Sequence, residues 1–262
     1  MSVSPKDVPP EVVAFAQEVI SAVGSVRREL LLAAYLHGSA TLGGWMPRRS
    51  DVDLLLVTRQ TEQPDLEAVA EALVESSGHC PGSGLECSVV TASEASRPRP
   101  PWPFVLHIKT SVEPKSVSVV RGVESSGDRD LLMHYVTCRA AGWAVHGPEP
   151  AVLIGPVDRP IVLSYLADEL EWGLHHGSQA YAVLNACRAL VYLHDEQIVS
   201  KTAGGTAAHE RGLGPSDVIR RALHDQQGKA PTRAVGEDSQ RFVHTAVELL
   251  RSAARGSTMP PP

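Results

Sequence analysis

Four prolines, at positions 148, 150, 156 and 160, separate two stretches of this chain that cannot fold in the same way. On their N-terminal side, short apolar runs alternate with segments of helical spacing, the pattern of a sheet with helices packed on it. On their C-terminal side, from Ile161 onward, apolar residues recur at helical spacing and no strand is expected. Proline lacks the backbone donor that either a helix interior or a sheet ladder requires, so the cluster marks a domain boundary. The expected architecture is an α/β (α+β) domain with a mixed sheet over residues 1–155, followed by an all-α helical bundle over residues 156–262.

Within the first part, residues 11–23 place Val12, Val13, Ala16, Val19, Ile20 and Val23 on one side of a predicted amphipathic helix. Residues 30–36 read as a buried strand, or as a helix leading into one, and end in the turn His37-Gly38-Ser39-Ala40. The clearest strand is DLLLVT at 53–58, with LECSVV at 85–90 a second. Helices are predicted over 64–76 and 130–144, and the proline-rich stretch 94–103 is expected to be a loop. Beyond the boundary, helices are predicted over 161–172, 181–194, 216–224 and 239–254, with a glycine-rich turn at Gly204-Gly205.

Composition removes several classes of function. Hydrophobic residues make up 43% and charged residues 21%, ordinary globular usage that argues against a disordered chain. A net charge of -6 without a block of lysine or arginine gives no nucleic-acid footprint. The longest apolar run, 30–36, falls far short of the roughly 18 residues of a membrane helix, and no basic segment followed by an apolar one opens the chain. A cytoplasmic protein without nucleic-acid or membrane partners, monomeric or weakly dimeric, is expected. Cysteines 80, 87, 138 and 187 form no CxxC pair and read as reduced, mostly packed thiols.

The chemistry concentrates at Gly38-Ser39, followed after eleven residues by Asp51-Val52-Asp53. Residues two apart in a strand share a face, so Asp51 and Asp53 present their carboxylates side by side. Such a pair repels unless a cation sits between them, and hard oxygens of this kind suit Mg²⁺ that also holds phosphate oxygens. The Gly-Ser turn offers a phosphate chain backbone N–H groups and a hydroxyl. Glu86, a lone acid in an apolar strand, is the candidate third carboxylate, able to share the metal and to take a proton from an acceptor hydroxyl. In the helical half, Arg188 stands as a single cation in the otherwise apolar segment 181–193, where it needs a partner or a ligand.

The string HGSATLGG at 37–44, with SDVDLL at 50–55, resembles the Gly-Ser and Asp-x-Asp signature of the nucleotidyltransferase superfamily that includes DNA polymerase beta. Its wording is most similar to the aminoglycoside adenylyltransferases that modify streptomycin and spectinomycin. Segments 130–148 and 184–188, with Lys201 after them, resemble later parts of that family. The resemblance implies Mg²⁺, two ions, on Asp51, Asp53 and Glu86, with Glu86 also the catalytic base. It implies ATP contacts from Gly38, Ser39, Ser50, Arg188 and Lys201, in a cleft between the domains. It implies an aminocyclitol antibiotic as the small hydroxylated acceptor, near Trp172, His175, Ser178 and Tyr181, with negative charge from Asp168, Glu169 and Glu171. Where the streptomycin enzymes carry acidic residues this chain has Leu174 and Ser178, so a spectinomycin-like acceptor is expected ahead of streptomycin. The alternatives are transfer to another hydroxylated metabolite or to a protein, and a nucleotide-binding sensor without catalysis.

Overall fold

A computed structural model describes residues 7–26, 29–59, 63–228 and 234–256, in two units, Met1–Val157 and Asp158–Pro262. The first is built on six strands: β1 (Leu31–His37), β2 (Val52–Thr58), β3 (Leu85–Thr91), β4 (Leu106–Ser111), β5 (Ser116–Arg121) and β6 (Trp143–His146). Their spatial order is β5-β4-β3-β2-β1-β6. β2 and β3 run parallel and the other neighbours antiparallel, so the sheet is mixed. The helices of this unit are α1 (Pro10–Val26), α2 (Gln63–Ser77), α3 (Ala92–Ser96), α4 (Leu131–Ala141) and α5 (Pro150–Leu153).

Strand alternation sorts the sheet into two faces. Leu36, Leu54, Leu56, Cys87, Val89, Leu106 and Ile108 pack with Val12, Ala16 and Val19 of α1 and Val69 and Leu73 of α2 into one apolar core. The intervening residues point to the opposite face, over which α4 lies against β1. Leu55 and Val57 on that face are fully buried too, which is why DLLLVT is apolar without a break. Toward the C-terminal end of β1 and the N-terminal ends of β2 and β3 this second face turns polar, and there the site residues collect.

Several boundaries depart from the sequence reading. Residues 92–96 of the expected loop form α3, because the Thr91 hydroxyl accepts a hydrogen bond from the Glu94 amide and caps a single turn before Pro98. The helix expected to reach 144 stops at Ala141, since Trp143 and Ala144 pair with Leu36 and Tyr35 as β6. β4, β5 and β6 lie where that reading names no strand. The second unit contains α6 (Arg159–His176), α7 (Gln179–Asp195), α8 (Lys201–Glu210), α9 (Ser216–Gln226) and α10 (Glu237–Ala254), with no strand among the described residues. Gly204 and Gly205, expected as a turn, lie inside α8 instead. A Cβ on Gly204 would stand 2.8 Å from Cγ of Arg188, and one on Gly205 2.7 Å from Leu184 and Leu223, so these glycines permit close helix packing.

Candidate active site

Four charged or polar side chains form one row across four strands. Strand register pairs His37 with Asp53, Asp53 with Glu86, and Glu86 with Lys109, so all four share the α4 face. After His37 the chain turns sharply through a 3₁₀ segment, Gly38–Ala40. Gly38 has φ +72°, and a Cβ there would lie 1.9 Å from Oδ2 of Asp53. Only glycine lets the turn backbone rest against that carboxylate. The hydroxyl of Ser39, the next residue of the turn, is buried without a hydrogen-bond partner among the described residues. Asp51 accepts a 2.6 Å hydrogen bond from the Ser83 hydroxyl. The Ser50 hydroxyl accepts from the Met46 amide at 3.1 Å and its carbonyl from the Ser83 amide, so Ser50 fixes the turn that carries Asp51.

Glu86 has acquired partners the sequence did not disclose. Its Oε2 accepts a 2.8 Å bond from Nζ of Lys109, and its Oε1 stands 3.7 Å from Nε2 of His134 on α4. Burial works to raise the Glu86 carboxyl, but His134, then the Lys109 hydrogen bond and charge, hold it below the ordinary carboxylate range. Burial likewise pulls the Lys109 ammonium down, and Glu86 outweighs it, leaving Lys109 above its usual value. Beyond Lys109, His107 shares Nδ1 between the Ser88 hydroxyl at 3.0 Å and Asp128 at 3.8 Å. His37, His134 and Lys109 were legible only as a period-two alternation in LHIKTS and as unassigned histidines.

The His134 and His37 rings are 4.9 Å apart, and Nδ1 of the first and Nε2 of the second are buried without partners. Desolvation, joined by His134, pushes His37 well below the ordinary 6.5, and desolvation lowers His134 although Glu86 and Asp128 oppose it. Burial favours the neutral form of both rings. The unfolded chain takes up protons near its ordinary histidine value while the folded chain resists, so stability falls as the pH drops below 6.5. The melting temperature is therefore expected to decline between pH 7 and pH 5.5, and less steeply in His134→Gln. An equal slope in wild type and variant would assign the acid sensitivity elsewhere.

Among the described residues, no three His, Cys, Asp or Glu side chains are arranged to share one cation. The residues still fit a divalent ion. Two aspartates at the strand end supply hard oxygens, and Mg²⁺ is held by one or two carboxylates when substrate phosphates complete its shell. The glycine cradle against Asp53 and the unpartnered Ser39 hydroxyl leave a place beside those carboxylates for phosphate oxygens.

In the helical unit, Nε of Arg188 donates to the Val199 carbonyl at 2.9 Å and Nη1 to Oδ1 of Asn185 at 3.2 Å, tying α7 to the segment that leads into α8. Lys201, the first residue of α8, lies with Nζ 4.8 Å from the ring centroid of Tyr181. The Tyr181 hydroxyl donates to Oε1 of Glu169 at 2.5 Å. Trp172, half exposed, stacks on His176 at 4.8 Å and meets Tyr181 edge-on, and His175 lies edge-on to His176. Tyr181, Trp172 and Lys201 are thus brought together. The Ser178 hydroxyl accepts from the Tyr181 amide and caps α7. Asp168 and Glu171 both accept from Arg251 of α10, at 3.2 and 2.7 Å, so their charge is engaged within the bundle.

Residues 161–251 match the family described as aminoglycoside adenylyltransferase, C-terminal domain. No curated protein matches the chain. Among solved structures, the spectinomycin adenyltransferase AAD(9) of Enterococcus faecialis, determined with ATP and spectinomycin, superposes with a TM-score of 0.62 over 89% of this chain and 98% of that one, at 15% identity. The Escherichia coli MS115-1 CdnC with ATP covers 95% of this chain and 92% of its own at 10% identity, but with a TM-score of 0.30 it carries no argument. The mixed sheet, followed in the chain by a helical unit, is the fold this chain shares with that adenyltransferase. More narrowly, most of the helical unit is similar to the C-terminal domain of the aminoglycoside adenylyltransferases.

Proposed function

We propose that this chain transfers AMP from ATP, with Mg²⁺, to a hydroxyl of an aminocyclitol antibiotic and releases pyrophosphate, with spectinomycin the expected acceptor ahead of streptomycin. The observation that carries the reading is the juxtaposition of Asp53 with the Gly38 backbone on one side and Glu86 on the other. The Gly38-Ser39 turn receives the triphosphate through backbone N–H groups and the Ser39 hydroxyl. Asp51 and Asp53 hold Mg²⁺, which supplies positive charge to the phosphates and to the leaving pyrophosphate. Glu86 takes the proton of the acceptor hydroxyl, whose oxygen bonds to the α-phosphorus as the bond to pyrophosphate breaks. A carboxyl held below its usual range is ionised at neutral pH, the form a base requires. Arg188 and Lys201 contribute nucleotide contacts from the helical unit, and Tyr181 and Trp172 contribute to recognition of the acceptor.

Support for the acceptor comes from the matched helical family and from a fold neighbour that binds spectinomycin with ATP. Leu174 and Ser178 support the order of acceptors, since neither offers a carboxylate to a cationic drug. The test is Mg²⁺-dependent pyrophosphate release from ATP across aminocyclitols and other hydroxylated compounds. Release with spectinomycin and a product heavier by one AMP are expected. Silence across the aminocyclitols with release on another metabolite or a protein would overturn the acceptor assignment.

A further inference from the structure

Lys109 has no part in the chemistry just described, yet it holds the carboxylate which that chemistry uses as its base. Its ammonium lies 2.8 Å from Oε2 of Glu86, although the two side chains differ in setting: Glu86 is 15% exposed and Lys109 57%. The lysine therefore approaches from the open side. There it borders a cavity of about 480 Å³ shared with Asp51, Ser83, Ser116 and Ser118, a wall of hydroxyls with room for an ammonium that lets go of Glu86. Two further facts bear on its role. Asp51 and Asp53 add their charge to that of Glu86 around Lys109, and carboxylates so close repel one another unless a cation is present. Seated on Oε2, the ammonium sets a positive charge against the carboxylate that a divalent ion has to approach.

We propose that Lys109 is a resident counter-ion of the carboxylate row, which holds Glu86 until metal and nucleotide arrive together and then releases it to them. The proposal rests on the metal-site reading above. A lysine suits such an exchange better than an arginine, because its strongly hydrated point charge sits on a flexible stem and makes no bidentate clamp. The consequence is an order of assembly. Metal alone meets only Asp51 and Asp53, with the Lys109 charge beside them, and binds weakly; metal carrying phosphates has enough ligands to displace the ammonium. Glu86 thus becomes available as base only when there is a nucleotide to be attacked.

The test is calorimetric titration of Mn²⁺ into the protein, with and without a non-hydrolysable ATP analogue. Wild type should bind Mn²⁺ far more tightly with the analogue than without it. In Lys109→Met and Lys109→Gln, Mn²⁺ alone should bind about tenfold more tightly, the removed charge being worth roughly that factor near a protein surface. The gain conferred by the analogue should shrink correspondingly, and Lys109→Arg, which keeps the charge, should bind Mn²⁺ alone no more tightly than wild type. Because the Lys109 side chain is mostly exposed, melting temperatures of the variants should stay near that of wild type. Unchanged or weaker Mn²⁺ binding in both neutral variants would overturn the counter-ion role, while metal-dependent nucleotide binding in wild type would leave the site itself standing. Nucleotide binding in wild type that ignores Mn²⁺ and Asp53→Asn alike would overturn the metal site, and the role of Lys109 with it.

Discussion

Replacement of Glu86 by Gln is expected to lower turnover by about 10²- to 10⁴-fold, the usual contribution of a positioned base, while ATP still binds. The amide matches the carboxylate in shape, and its oxygen can still accept the hydrogen bond from Lys109. The side chain is largely buried in the strand row, so a residue of equal volume leaves the packing intact. What the variant loses is a basic oxygen for the acceptor proton. The measurement is kcat at saturating ATP and acceptor, together with calorimetric titration of the ATP analogue. Wild-type turnover in the variant would move the proton to another group, and loss of analogue binding would make Glu86 chiefly a nucleotide-site residue.

The second large effect is expected at Gly38. Gly38→Ala places a Cβ 1.9 Å from Oδ2 of Asp53, a separation no packed structure tolerates, so the carboxylate or the turn must move. The backbone also has φ +72°, where a side chain costs roughly 1–2 kcal/mol. Gly43 separates these two contributions. It too lies in the left-handed region, at φ +69°, but a Cβ there meets nothing within 4 Å. Gly43→Ala should therefore show the loss of stability alone. Gly38→Ala should show a similar loss and, in addition, at least a tenfold weakening of metal-dependent nucleotide binding, about 1.4 kcal/mol. Equal nucleotide binding in the two variants would mean that the Gly38–Asp53 contact does not shape the site.

These two expectations differ in how much of their basis lay in the sequence. Glu86 stood out as a single acid between apolar neighbours, and Asp51 and Asp53 as a pair opening a strand; each signal spans a few residues and survives in one dimension. The partners of Glu86 did not stand out. Lys109 is 23 positions away and His134 is on a helix, and only the antiparallel register of β3 with β4 and the lie of α4 over the sheet bring them to it. Nor did the sequence show that the Ser178 hydroxyl, at the start of α7, caps that helix. Asp168 and Glu171 looked like free negative charge until α10 brought Arg251 to them.

The same division holds for the fold. Periodicity separated a sheet-bearing half from a helical half, because a strand repeats every two residues and a helix every 3.6 wherever one face is buried. It could not show that residues 143–146 leave the helical pattern to pair with β1, since that edge strand is too short to carry a period of its own. Nor could it show that Gly204 and Gly205 belong to a helix, because two glycines look like a turn unless Arg188, Leu184 and Leu223 are known to press against them. The sequence by itself determined which residues have the chemistry for a metal nucleotide and a proton acceptor. Only the tertiary structure decided which cation stands at Glu86, which serine is a cap and which glycine is a cradle, because those depend on contacts between residues far apart in the chain.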